Sequence, residues 1–207
     1  MKKKLCALAL FAVASLALAQ DAIAPDALVR SITLDVLAIV NQNTAQQGDP
    51  RRIANVIETK VLPHFELTRM TQLAMGRNWR MATPEQQKTL TAEFMTLLVR
   101  TYSTALASYR DQAIDFRPLR AAPDATEVTV KSLVRRPGGQ PIAIDYDLGK
   151  TAAGWKVFDV KVEGVSLVTT YRETFANEVR ENGIDGLIKS LATKNRQSDS
   201  KFGASKT

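Results

Sequence analysis

The side chains of this sequence that could do acid–base chemistry are few and scattered. His64 is its one histidine. It lies between Pro63 and Phe65 at a predicted helix boundary, where we expect a capping or surface role and not a general base. Asp145 and Asp147 are two residues apart, so on one side of a strand they could form a carboxylate pair. The interpretation that we favour is a solvated sheet face beside lysines and arginines.

Metal, thiol and nucleotide chemistry lack their usual sequence patterns. The one cysteine, Cys6, lies in an N-terminal segment that we expect to be removed. There is no glycine-rich phosphate loop and no cluster of acids and histidines with metal-ligand spacing. We therefore predict no catalytic residues, no metal and no cofactor.

The first twenty residues predict export through a cleaved signal peptide, residues 1–19. Three lysines at 2–4 are followed by an apolar run and by a small-residue cleavage site at 17–19, with 22–24 as an alternative site. A membrane anchor is the weaker interpretation, because about 15 apolar residues are fewer than the roughly 20 that span a bilayer. Losing three lysines lowers the formal charge from +7 to +4. A mildly basic chain of this kind does not indicate nucleic-acid binding.

The half of the mature chain before residue 110 shows helical spacing of apolar residues. Helices are predicted from Pro25, from Pro50, and from Phe65 up to Gly76. The clearest start is Thr83-Pro84-Glu85-Gln86, which is typical of a capping box. The helix that follows carries an apolar and aromatic face over about five turns.

After residue 110 the apolar period changes toward two. Strands are predicted at 114–117, 127–134, 141–148 and 155–162, in an antiparallel meander with one covered face. Two helices follow, the second after Gly183. Helices, then sheet, then helices predict an α+β fold: a curved antiparallel sheet of about four strands wrapped by N- and C-terminal helices. We expect one domain over 20–195 and a polar, disordered tail over 196–207.

A long aromatic helix over such a sheet could enclose a solid core or a cavity, and periodicity does not separate the two. The residues concerned are Phe94, Leu98, Tyr102, Tyr146, Trp155 and Phe158. Arginines near Trp79, at 77 and 80, could hold an anionic group because guanidinium suits phosphate. Solvated surface arginines are the alternative interpretation.

Several segments of the sequence carry a resemblance to a known family. They are Gly76-Arg77-Asn78-Trp79-Arg80, Thr83-Pro84-Glu85-Gln86, Arg100-Thr101-Tyr102, Gly154-Trp155-Lys156-Val157-Phe158-Asp159-Val160, Val162-Glu163-Gly164-Val165-Ser166-Leu167 and Gly183-Ile184-Asp185-Gly186-Leu187. Over about residues 27–194 the chain resembles the MlaC family, also called the toluene-tolerance periplasmic proteins.

The resemblance implies a soluble periplasmic carrier that moves phospholipid between two membrane partners. These are the outer-membrane MlaA lipoprotein complex and MlaD of the inner-membrane MlaFEDB transporter, which uses the ATP. Retrograde transport that maintains outer-membrane asymmetry is the usual account of the family, although the direction has been argued both ways. The resemblance also implies a cone similar to nuclear transport factors, with acyl chains in an apolar cavity. We expect a monomer that tolerates different head groups.

On the basis of that resemblance we hypothesise which residues contact the lipid. The predicted cavity lining is Phe94, Leu97, Leu98, Tyr102, Ile142, Ile144, Tyr146 and Val157, with Met70, Leu73 and Trp79 near an opening. Arg77 and Arg80 are the predicted head-group or docking residues. Two alternatives stay open: a periplasmic adaptor that binds protein segments, and an enzyme on a cone fold that uses Asp145, Asp159 or Tyr102.

Overall fold

The structure is a computed structural model that describes residues 23–42, 50–107, 113–135 and 138–204. The predicted signal peptide and the predicted helix end near Gly48 lie outside the described residues. The main elements are α1 (Pro25–Gln42), α2 (Pro50–Val56), α3 (Leu67–Met75), α4 (Pro84–Ala107), β1 (Ile114–Phe116), β2 (Glu127–Val134), β3 (Ile142–Thr151), β4 (Gly154–Val162), β5 (Val165–Ser166) and α5 (Arg172–Ala204). A π-helical turn (Ile57–Val61) and three 3-10 turns (Leu62–His64, Gly76–Met81 and Thr169–Tyr171) connect them.

The capping box that the sequence predicted at the start of α4 is confirmed. The Thr83 backbone N–H donates to Gln86 Oε1 at 2.9 Å, and the Gln86 N–H donates to Thr83 Oγ1 at 3.2 Å. Pro84 occupies the first helical position, where a missing N–H costs no intrahelical bond. Gln86 Nε2 also donates to Asp185 Oδ1 at 2.7 Å, which ties the start of α4 to α5.

The sequence predicted two C-terminal helices, the second after Gly183, and α5 consists of two helical stretches that meet at this residue. The predicted break is present as a kink at Gly183, whose φ of 72° and ψ of −177° only glycine adopts without strain. The helix continues to Ala204, so residues 196–204, predicted to be disordered, are helical. Asn195 Nδ2 donates to the Glu93 carbonyl at 2.9 Å and to its carboxylate at 2.6 Å, which anchors the helix to α4 just before this stretch.

The five strands form one antiparallel sheet in the order β1-β2-β3-β4-β5, so the predicted meander is confirmed. The fifth strand, β5, spans two residues and is too short to show a period. The register pairs Val130 with Tyr146, Ser132 with Ile144 and Val134 with Ile142. Because side chains alternate across a strand, these lie on one face, which we name the inner face.

The helix that packs on the inner face is α1. Leu28 and Val29 of α1 form one buried cluster with Val130, Leu148 and Val157 of the sheet. The most extensive contacts of α4 are with α5, α2 and α3, so this helix packs mainly on other helices. The reason is that α4 is apolar on more than one side, so more than one helix packs against it.

The helical layer is attached to the sheet where α3 begins. The Glu66 N–H donates to the Val157 carbonyl at 2.8 Å. The Arg69 guanidinium lies 3.5 Å above the centre of the Phe158 ring, and its Nη2 lies 2.6 Å from Glu127 Oε1. Gly149 leaves room for this arginine, since a Cβ there would lie 2.7 Å from Arg69 Nη1.

Candidate functional site

Seven of the predicted lipid-contact residues come together in one cluster between α3, α4 and α5. They are Met70, Leu73, Trp79, Phe94, Leu97, Leu98 and Tyr102. Phe94 is fully buried, and its ring centre lies 5.2 Å from that of Tyr171 and 5.1 Å from that of Phe175, both in edge-to-face geometry. Leu73, Leu97 and Tyr102 are only partly buried at the margin of this cluster, which we name the helical cluster.

Two further predicted residues, Tyr146 and Val157, belong to the separate cluster between α1 and the sheet. Burial raises the pKa of the Tyr146 hydroxyl above its ordinary value, and hydrogen bonds with Thr33 and Ser132 offset part of that rise. The Thr33 interaction connects α1 to the inner face of the sheet. This half of the inner face is therefore occupied by α1.

Ile142 and Ile144 lie on the other half of the inner face. Val134 and Val162 are their cross-strand partners, which makes this half apolar as well. Val134 and Ile142 are buried and Ile144 is half-buried, yet none of these residues belongs to the three apolar clusters that the described residues form. We name Val134, Ile142, Ile144 and Val162 the free half of the inner face.

Arg77 and Arg80 lie in the 3-10 turn after α3, and both are exposed. In the described part of the chain no ion pair is formed by either. Trp79 between them is buried, whereas Met81 beside them is 67% exposed. The turn thus presents two cations and an apolar side chain to solvent.

The carboxylates of the outer sheet face are paired with lysines, as we expected. Asp145 Oδ2 lies 3.5 Å from Lys131 Nζ, and Asp147 Oδ2 lies 2.6 Å from Lys161 Nζ. Tyr102 lies in the helical cluster, where burial raises its pKa to about 12 and the neighbouring Tyr171 adds to the rise. Tyr102 therefore stays protonated at neutral pH, and it does not form an acid–base pair with Asp145.

A groove of about 600 Å³ runs along α4 and shares Leu67, Trp79 and Met95 with the helical cluster. Its floor is made by Leu62, Leu67, Trp79, Met95 and Val99. Of the predicted site residues, only Trp79 lines it. Sequence reasoning missed the others because threonines and glutamine interrupt the stripe along α4, which made this side look like an ordinary solvated face.

The described residues contain no group of three or more histidine, cysteine, aspartate or glutamate side chains that could hold a metal ion. Across the same residues, no helix combines the length and the apolar character needed to cross a membrane.

The fold and the site define a class of protein: an α+β chain whose antiparallel sheet keeps an apolar inner face beneath a layer of helices. The family model described as MlaC protein matches residues 30–193. The chain belongs to the MlaC family, so the resemblance noted from the sequence is confirmed.

Named relatives and a solved structure agree with this family. The toluene tolerance protein ttg2D of Pseudomonas putida is 26% identical over 159 residues, which cover 76% of this chain and 74% of the relative. The intermembrane phospholipid transport system binding protein MlaC of Haemophilus influenzae is 25% identical over 77% of this chain and 74% of its own. A phospholipid-binding protein from Ralstonia solanacearum, solved in complex with a phospholipid, is 38% identical with a TM-score of 0.77. That similarity covers 84% of this chain and 98% of the solved one.

Proposed function

We propose that this chain is a periplasmic phospholipid carrier and not an enzyme. The observation that carries the proposal is the similarity to the Ralstonia solanacearum protein, which is solved with a phospholipid and is covered over 98% of its length at 38% identity. The half-buried Ile144 and Val162 of the inner face support it, because they lie outside the packed clusters of the described residues and offer apolar surface to hydrocarbon.

Acyl chains would lie between the free half of the inner face and the margin of the helical cluster. Ile142 and Ile144 form the sheet side of this site, and the partly buried Leu73, Leu97 and Tyr102 form the helical side. The remaining predicted contacts, among them Met70, Leu98 and Tyr146, would act as the walls behind them. We assign Arg77 and Arg80 to the head group or to docking, since both are exposed and without a described ion-pair partner.

The free energy of acyl-chain burial determines how such a carrier works. A chain of about 16 carbons gains roughly 12 kcal/mol on leaving water, at about 0.8 kcal/mol per methylene group. Release into water is therefore too slow for transport. The lipid has to pass directly to a docked partner or membrane, where it exchanges one apolar environment for another at nearly equal free energy.

The partners that fit this role are MlaD of the inner-membrane MlaFEDB complex and the outer-membrane MlaA complex. In this proposal the chain is the periplasmic component of the Mla system and helps to maintain outer-membrane lipid asymmetry. It acts as a monomer, since it must present its opening to each partner in turn. ATP is used by the transporter, and this chain binds phospholipid as cargo.

The test is to purify the mature protein under native conditions, extract it with organic solvent and identify bound lipid by mass spectrometry. We expect a stoichiometric diacyl phospholipid. An Ile144→Lys variant should lose at least about tenfold of that lipid, because a charge in an apolar site costs several kcal/mol. Leu133→Lys is the matched control, since Leu133 is also half-buried but lies on the opposite face of the paired strand β2.

Each other outcome has a definite meaning. A purified protein that carries no lipid and takes up none from vesicles would overturn the carrier proposal. That result would favour the periplasmic adaptor that binds protein segments. Extracted lysolipid and fatty acid that accumulate with time would indicate an enzyme. Lipid retained by Ile144→Lys and lost by Leu133→Lys would place the site on the outer face of the sheet.

A further inference from the structure

The groove along α4 has the properties of a binding site that differs from the proposed carrier site. One wall is α4, and the other is the segment from the π-helical turn to the start of α3. Trp79, Met95 and Val99 are buried beneath it, and Leu62 and Leu67 are half-buried. The floor is therefore apolar along its length, although the groove is open to solvent at exposed Lys88 and Ala92.

The dimensions of the groove select the shape of its occupant. It extends from Pro84 to Val99 of α4, which is roughly 22 Å at 1.5 Å per helical residue. A groove of this length beside one helix, with a volume of about 600 Å³, accommodates a single extended chain.

The polar side chains of the groove select the chemistry of that chain. Thr91 Oγ1 donates to the Gln87 carbonyl at 2.8 Å, and Thr96 Oγ1 donates to the Ala92 carbonyl at 2.9 Å. Gln87 Nε2 is shared between the carbonyls of Trp79 at 3.1 Å and Ala82 at 3.2 Å. These donors of the α4 wall are already used, so an extended peptide would find few partners there for its backbone carbonyls. A hydrocarbon chain needs none.

Charge at the rim indicates the orientation of the ligand. Lys88 lies one turn inside the Pro84 end, is exposed, and forms no ion pair with a described carboxylate. Glu58 is also exposed, on the opposite wall. An anionic head group would be attracted by Lys88, with the chain running from there toward Val99.

We propose that this groove binds a single-chain anionic lipid, with its one acyl chain on Trp79, Met95 and Val99 and its head group at Lys88. Free fatty acids and lysophospholipids share this chemistry. The inference goes beyond the carrier function, because it adds a second site whose occupancy does not depend on the diacyl lipid.

Trp79 provides a direct reporter of the groove. The chain has two tryptophans, and a Trp155→Phe background leaves Trp79 as the only one. Stearic acid brominated on its chain, and lysophosphatidylglycerol with the same brominated chain, are added separately to this protein with its co-purified lipid. Both probes should quench Trp79 fluorescence if the groove accepts fatty acids as well as lysophospholipids. Only one probe should do so if the groove is selective for a head group.

Ala92→Phe fills the groove from an exposed helical position. It should raise the probe concentration that gives half of the maximal Trp79 quenching at least about tenfold. Thr89→Phe is the matched control, since Thr89 is exposed on α4 but does not line the groove; it should change that concentration less than twofold.

Lys88→Gln should weaken binding about two- to fivefold for the anionic probes. A neutral brominated alcohol should bind Lys88→Gln and the parent equally.

Three results would overturn the inference. The first is that neither probe quenches Trp79, and the second is that both probes quench it equally in Ala92→Phe and in the parent. The third is loss of the co-purified phospholipid from Ala92→Phe but not from Thr89→Phe, which would make the groove part of the carrier site. Because the bound phospholipid is measured on the same samples, failure of the second site is distinguishable from failure of the carrier function.

Discussion

The helical cluster and the free half of the inner face are both apolar, but they differ in how their side chains are packed. In the helical cluster Phe94 is fully buried and contacts two further aromatic rings. On the free half of the inner face, Ile144 is half-buried and, like Val134, Ile142 and Val162, belongs to none of the described clusters. Apolar residues of similar size are therefore packed to different degrees in the two regions.

The largest expected difference between the two regions is in stability. Phe94→Ala should lower the free energy of unfolding by about 3–5 kcal/mol, because it removes a fully buried ring and leaves a cavity. Ile144→Ala should cost less than about 2 kcal/mol, since a half-buried side chain loses less contact. Urea denaturation of lipid-free protein measures both. Equal losses for the two variants would contradict the distinction between a packed region and a free one.

A second prediction concerns the attachment between the helical layer and the sheet. Gly149→Ala should destabilise the protein by about 1–2 kcal/mol, because the new Cβ would lie 2.7 Å from Arg69 Nη1 and the guanidinium would have to leave the Phe158 ring and Glu127. In an Arg69→Ala background the same substitution should cost less than half as much, since the conflicting guanidinium is absent. Additive losses in the double-mutant cycle would show that Arg69 is not what restricts residue 149.

A smaller effect is expected at the start of α4, which supports the helical cluster from outside. Thr83→Ala should cost about 1 kcal/mol, because it removes the hydroxyl that accepts the Gln86 N–H. Thr89→Ala, an exposed position inside the same helix, is the control and should change stability by less than about 0.5 kcal/mol. Similar costs at both positions would argue against capping as the cause.

The smallest effect is a pH dependence of the sheet. Burial raises the pKa of Asp159 above its ordinary value, although hydrogen bonds from Ser166 and the Val160 N–H offset part of the rise. The folded state then holds the proton to higher pH than the unfolded state. The contribution of protonated Asp159 to the free energy of unfolding is fully present below about pH 3.9, the ordinary aspartate pKa. It is lost as the pH rises through the pKa that Asp159 has in the folded state.

Asp159→Asn should remove this contribution while its side-chain oxygen still accepts the Val160 N–H. Stability measured in urea from pH 4 to pH 7 should therefore fall less steeply in the variant than in the parent. The helical cluster has no counterpart in this range, because the raised pKa of Tyr102 is about 12. Parallel profiles for variant and parent would exclude Asp159 as the source.

Local patterns predicted the elements well where one local interaction defines them. The start of α4 at Thr83-Pro84, the end of α3 at Gly76 and the break at Gly183 all follow from backbone geometry and capping within a few residues. The strands of the meander were also found, since apolar residues alternate along much of β2, β3 and β4, although a bulge between Asp147 and Leu148 interrupts the period. The two-residue strand β5 was missed for lack of such a period.

The placement of α4 and the groove could not be predicted in the same way. An apolar stripe shows that a helix face is covered, but it does not name the covering element. Leu98 and Ile144 were both predicted from the sequence to line the cavity. In the structure Leu98 belongs to the helical cluster and Ile144 does not. For the same reason, seven predicted contact residues gathered in one cluster while Ile142 and Ile144 remained apart from it.

The sequence by itself determined the order of the elements, their caps and breaks, and the family to which the chain belongs, because these depend on neighbours in the chain and on its motifs. Only the tertiary structure decided that α1 covers half of the sheet, that α4 packs on other helices, and that a groove runs beside Trp79. These features arise from contacts between residues far apart in the chain, where many pairings bury similar apolar area and only close packing selects among them.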